Sequence, residues 1–172
     1  KQYDAGDEQW FLGIPLVRAL ELIPNPLVLD VATGTGRLPR ALLRQPPFQG
    51  RVIGLDLSRR MLSEAVARTA QFADRLTYIW QDARNLPFDD DTFDAVTCLE
   101  ALEFTPAPRE VLAELVRVLR PGGVLLTTNR IGRDAKFLPG RALSFQEFEL
   151  ALQALSLEKV KTQHWQMDYD LV

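Results

Sequence analysis

The ten residues from Val28 to Arg37, VLDVATGTGR, constrain the fold more than any other stretch of the chain. Leu27, Val28, Leu29 and Val31 make an apolar run of strand length, which predicts a strand buried on both faces. Gly34 and Gly36 follow where the backbone must turn sharply and approach something closely. Leu38, Ala41 and Leu42 then recur at helical spacing between Arg37 and Arg44. A strand, a glycine turn and a helix is a nucleotide-binding layout, with backbone N–H groups and a helix N-terminus facing the ligand.

Two details narrow the ligand. A dinucleotide fingerprint needs a third small residue three positions after its second glycine, and here that position is Pro39. Asp30 lies at the strand end, before the glycines, where a carboxylate repels a pyrophosphate and suits a ligand with a cationic end. The segment Asp30-Val-Ala32-Thr33-Gly34-Thr-Gly36 resembles the first motif of class I S-adenosylmethionine-dependent methyltransferases, an acidic residue followed by small residues at alternate positions. Ala32 stands where that family usually has its first glycine. The resemblance implies S-adenosylmethionine as methyl donor and S-adenosylhomocysteine as product.

The rest of the chain alternates apolar strands with helical stripes, which predicts an α/β fold with a parallel sheet covered on both faces. Strands are expected at Arg51 to Leu55, Leu76 to Trp80, Phe93 to Cys98 and Val124 to Thr128. A helix from Ser58, its N-cap, is expected to bury Met61, Leu62, Ala65, Val66 and Thr69. A second helix from Arg109 to Leu119 should stop at Arg120-Pro121-Gly122-Gly123. Ser144 and Glu147 form a capping box for a third, reaching about Leu155. Leu157 to Gln163 and Trp165 to Val172 read as two strands with only His164 between them, too close for a parallel crossover, so they should pair antiparallel. Five parallel strands closed by such a pair match the Rossmann-like, mostly parallel seven-stranded sheet of class I methyltransferases. The chain divides into an N-terminal helical segment, 1–26, expected to act as a lid, and a cofactor-binding domain, 27–172.

Asp56 ends the second strand, where an acid can accept both ribose hydroxyl protons. The resemblance implies that Leu57 and Met61 flank the adenine, that Asp82 accepts its amino protons and that the Ala83 N–H serves its ring nitrogen. It also implies that Leu99 lies beside the methionine part. Relatives often carry histidine where this chain has Phe104, so Glu103 and His164 are the candidate proton acceptors. Cys98 is expected to be a buried small hydrophobe. Tyr3, Trp10 and Phe11 are candidates for a lid over the cofactor, with Tyr3 and Trp10 also touching the acceptor. Arg130 and Lys136, in a loop expected from Asn129 to Leu143, are candidates for holding an anionic one.

Composition bounds the partners. The 172 residues are 47% hydrophobic and 25% charged, with a net charge of −3, which fits one globular domain. The acidic balance argues against nucleic acid and anionic membranes as partners and for a small-molecule substrate. A lone cysteine excludes an internal disulfide and suggests a reducing, cytoplasmic setting. Two other readings stay open at this stage: a catalytically silent methyltransferase-like binding subunit, and an NAD(P)-binding oxidoreductase, which Pro39 and Asp30 disfavour.

Overall fold

In a computed structural model of the chain, residues 16, 20, 23–131, 142–165 and 169–172 are described. Strand β1 (Leu27–Val31) pairs in parallel with β2 (Arg51–Asp56) on one side and β4 (Phe93–Cys98) on the other. β3 (Leu76–Trp80) adds in parallel to β2, and β5 (Leu119–Arg130) in parallel to β4. β7 (Tyr169–Leu171) then pairs antiparallel with both β5 and β6 (Gln163–Trp165). The order is β3-β2-β1-β4-β5-β7-β6, the seven-stranded sheet expected from the sequence. The sheet reverses direction of growth at β1, and ligands of open α/β sheets bind at that kind of switch point, outside the carboxyl ends of the strands.

Alternation along β1 divides the core. Val28 faces a cluster with Leu38, Ala41 and Leu42 from helix α1 (Arg37–Leu43). Leu16 and Leu20 of the N-terminal segment, 1% and 2% exposed, join that cluster. Leu29 and Val31 face the other way, toward Val111, Leu112 and Leu115 of α3 (Pro108–Arg117) and Phe148 and Leu152 of α4 (Phe145–Ala154). Helices thus cover both faces.

Several local expectations hold. Ser58 caps α2 (Arg59–Arg68) by accepting from the Met61 N–H, and Ser144 with Glu147 forms the capping box of α4. Cys98 is buried. Others are corrected. On α2 only Leu62 and Ala65, followed by Thr69, are buried; Met61 and Val66 are 43% and 55% exposed, because a 62–65–69 stripe is what meets the sheet. Helix α3 ends at Arg117, not Leu119. Leu119 already pairs with Phe93, and the ladder shifts register before Val124 pairs with Ala95, so Arg120-Pro121-Gly122-Gly123 forms an irregularity inside β5. Gly122 supplies the left-handed turn there, at φ 76°. At its far end β5 runs on through Asn129 and Arg130, which pair with Asp170 and Tyr169 instead of opening a loop. His164 is likewise no turn residue but the middle of β6, and Leu157 to Thr162 lie outside any strand.

Candidate functional site

The β1–α1 loop is held from behind and open in front. A Cβ on Gly36 would strike the Tyr78 hydroxyl, so no larger residue fits against β3. A Cβ on Gly34 would meet nothing within 4 Å, which leaves free space before the loop. Both glycines take left-handed backbone, at φ 56° and 75°. Ala32 does so too, at φ 57°, and so does Glu100 just beyond β4, at φ 52°. Two non-glycine residues in this region, on adjacent strand ends, are the kind of strain that gathers at functional sites.

Asp56 organises the loop. Its two carboxylate oxygens accept the N–H groups of Gly34 and Ser58, each at 2.8 Å. The residue thus joins the glycine turn of β1 to the start of α2. Beside it Leu57 is 64% exposed, and Met61 is exposed nearby on α2. The Leu57 carbonyl accepts from the Trp80 indole at 2.8 Å, and the Arg59 guanidinium lies 3.9 Å from the centre of the Trp80 ring.

Asp30 is buried at 4% exposure, and its Oδ1 accepts from the Thr97 hydroxyl at 2.6 Å. Burial pushes its carboxyl up to about 6, against the stabilising hydrogen bonds of the Thr33 and Thr97 hydroxyls. Asp82 lies two residues beyond β3. Arg84 grips its carboxylate through Nε and Nη2, at 3.1 and 2.6 Å, and through its backbone N–H at 2.9 Å. Those hydrogen bonds hold Asp82 below the usual carboxylate range. The loop that follows, with Ala83, is fastened to α3. Arg117 donates to the carbonyls of Leu86 and Phe88, and Glu114 accepts from the Leu86 N–H. Asp30, Asp56 and Asp82 therefore stand at or just past the carboxyl ends of three adjacent strands, with Asp56 bonded to Gly34.

Past β4, Leu99 is half-buried, and Arg37 reaches the Glu100 carboxylate at 3.4 Å, linking α1 to this strand end. Phe104 is 52% exposed. Glu103 is 2% exposed and its Oε1 accepts from the Tyr169 hydroxyl at 2.5 Å. That hydroxyl in turn accepts from Arg130 at 2.9 Å, and the guanidinium also lies over the Tyr169 ring at 5.2 Å. Burial pushes the Glu103 carboxyl up. His164 is not brought to this group: it sits on β6, the sheet edge, 64% exposed and 3.6 Å from Asp170. Tyr3, Trp10, Phe11 and Lys136 lie outside the described residues.

Sequence reasoning missed Thr97, Arg84 and Tyr169. Only Arg84, two residues from Asp82, left a sequence signal. Thr97 and Tyr169 reach their partners across the sheet.

Sheet order, two-sided helix packing and the glycine crevice define the class: this is the class I S-adenosylmethionine-dependent methyltransferase fold. The chain belongs to the family described as methyltransferase domain, whose model matches residues 28–123. It is 39% identical over 117 residues to a demethylmenaquinone methyltransferase of Clavibacter sepedonicus, covering 68% of this chain and 45% of that protein. It is 44% identical over 101 residues to a 2-phytyl-1,4-naphtoquinone methyltransferase of Synechococcus elongatus, covering 58% of this chain and 43% of that one. The chain thus spans less than half the length of these curated relatives. Among solved structures, a SAM dependent methyltransferase from Aquifex aeolicus superposes with a TM-score of 0.75 at 20% identity, covering 99% of this chain and 93% of that one. The [4+2]-cyclase SpnF superposes with a TM-score of 0.77 at 24% identity, covering 94% of this chain and 61% of that chain. At such identities these two likenesses speak for the fold alone.

Proposed function

We propose that this chain binds S-adenosylmethionine along the carboxyl edge of β1, β2 and β3 and transfers its methyl group to a small-molecule acceptor, releasing S-adenosylhomocysteine. One observation carries the reading: Asp30 and Asp56 lie at the ends of β1 and β2 and Asp82 just past β3, on the sheet edge where free space lies in front of Gly34. The residues there fit the group. Asp56 offers its carboxylate to the ribose hydroxyls, and exposed Leu57 and Met61 give apolar surface to an adenine. Asp82 retains acceptor capacity beside Arg84, next to the Ala83 N–H. Gly34, with its neighbours Ala32 and Thr33, leaves room for the aliphatic tail, Gly36 lets the loop sit close against Tyr78, and buried Asp30 supplies negative charge for a cationic one. Leu99 borders the same end.

The sulfonium supplies an electrophilic methyl group when bound, so the protein's task is alignment. Holding reactants in line is worth effective molarities of ~10⁵–10⁸ M. Glu103 is already engaged with Tyr169, and its role in this reading is to position Arg130 through that hydroxyl. Arg130 then recognises a carboxylate or other anionic group on the acceptor. His164, on the far edge, takes no part.

The test is a thermal-shift comparison of S-adenosylhomocysteine with NADPH. Ligand at a hundredfold over its Kd stabilises by about 2.7 kcal/mol. For a domain of this size that is roughly 5–11 °C. A rise with S-adenosylhomocysteine alone supports the assignment; a rise only with NADPH overturns it.

A further inference from the structure

A second cavity, of about 200 Å³, opens between α4 and the antiparallel end of the sheet. Phe145, Leu152, Val160 and Val172 give it apolar walls, with Phe145 and Val160 about half exposed at its rim. It stands on β5 and β7, two and three strands from β1, and includes none of Asp30, Asp56 or Asp82.

Of the polar residues lining this cavity, Glu149, Gln153 and Thr162 are exposed, whereas Asn129 and Asp170 are not. Asn129 is 6% exposed, and its amide nitrogen Nδ2 is buried with no hydrogen-bond partner. Buried amide donors are nearly always paired, so an unpaired one on a residue that lines a cavity marks a position that an acceptor atom would complete. Asp170 is the direct partner of Asn129 in the β5–β7 register, and such opposed residues hold their Cβ atoms about 4.5–5.5 Å apart. Its carboxylate has His164 Nδ1 near it at 3.6 Å, which leaves further acceptor capacity. A donor and an acceptor thus occupy opposed positions of the β5–β7 ladder, beside the apolar walls of the cavity.

A cis amide presents the complementary pair, a carbonyl beside an N–H, on one edge of a flat ring. We propose that this cavity is a binding site for a small cyclic amide of the lactam or pyridone type, its carbonyl accepting from Asn129 Nδ2 and its N–H donating to Asp170. The apolar remainder of the ring packs between Leu152, Val160 and Phe145. The site is independent of methyl-donor binding.

Quinolin-2(1H)-one is a suitable probe, with N-methylquinolin-2(1H)-one and quinoline as comparators lacking the N–H and the carbonyl. The whole chain, without methyl donor, is titrated with each and followed by amide-resolved NMR. Quinolin-2(1H)-one should saturate and shift the Asn129 side-chain amide pair, and each comparator should bind at least fivefold more weakly. Asn129→Leu and the rim-filling Val160→Trp should each weaken the probe at least tenfold with spectral dispersion retained. Should Asn129→Leu not fold, Val160→Trp decides alone. Absence of saturable binding, equal binding of all three compounds, or binding indifferent to Val160→Trp overturns the proposal.

Discussion

Thr97 of β4 donates its hydroxyl hydrogen to Asp30 of β1 at 2.6 Å, and both side chains are almost wholly buried. The bond crosses the strand pair at the switch point of the sheet. It helps to hold this acidic side chain inside the core, together with the Thr33 hydroxyl. A carboxyl buried this deeply has consequences for both stability and binding.

The first is a pH dependence. Burial holds the Asp30 carboxyl at about 6, whereas an unfolded aspartate titrates near ~3.9. Below pH ~4 both states are protonated; between there and about 6 the folded state keeps a proton that the unfolded state has released. Folding stability therefore falls as pH rises through this window, by about 3 kcal/mol, and is flat above it. Asp30→Asn should flatten that slope in thermal melts of the unliganded protein. Affinity for the cationic donor moves the opposite way, tightening about tenfold from pH 5 to pH 7 as Asp30 ionises. Calorimetric titration at the two pH values reads this, and a parent protein with no such change refutes it.

Ala32 is the second case. Left-handed backbone costs an alanine roughly 1–2 kcal/mol relative to the right-handed region, and glycine avoids this while gaining some unfolded-state entropy. Ala32→Gly should therefore stabilise the fold by about 0.5–1 kcal/mol, a rise of a few degrees in Tm.

Asp56 serves structure and ligand together. Asp56→Ala removes the acceptor for both the Gly34 and Ser58 N–H groups, and a loss of roughly 1–3 kcal/mol in stability is expected. The shift with S-adenosylhomocysteine should disappear as well. Asp56→Asn keeps one acceptor oxygen and should recover part of the stability without restoring full ligand affinity, as denaturant melts with and without ligand would show.

Tyr169→Phe should reveal the buried acid behind it. Burial raises the Glu103 carboxyl, and the Tyr169 hydroxyl acts against that rise by stabilising the charged form. Removing the hydroxyl leaves a charged Glu103 oxygen unsatisfied at high pH and a neutral one at low pH. The variant should therefore lose more stability at pH 8 than at pH 5, by an amount on the order of 1–3 kcal/mol. Equal losses at both values would place the effect in packing instead.

Arg130→Ala tests the acceptor side. Once an acceptor is in hand, KM for it should rise with little change in the S-adenosylhomocysteine shift, because Arg130 stands at the end of β5, away from Asp56 and Asp82. Tyr169→Phe should raise the same KM by less, since it only frees the guanidinium from one of its anchors.

Local chemistry made the cofactor half of this fold readable from residues alone. Strand β1, the glycine turn, the Ser58 cap and the Ser144 capping box depend on neighbours within a few positions, so their signals survive in the linear chain. The three strand-end aspartates were legible because a parallel sheet sends every such residue to one edge. Errors arose where two strands had to meet. Leu119 reads as helix until Phe93 pairs with it, and Asn129 reads as loop until Asp170 does. His164 looks like a turn between two strands, yet pairing with Asp170 draws it into one.

Tertiary structure alone decided how the acids are partnered. Thr97 reaches Asp30 from 67 residues away, and Tyr169 reaches Glu103 from 66. Sequence periodicity records which face a side chain takes, since that is a property of one strand. It carries no record of which strand lies alongside, and a buried carboxylate's charge, partner and reach depend on that neighbour.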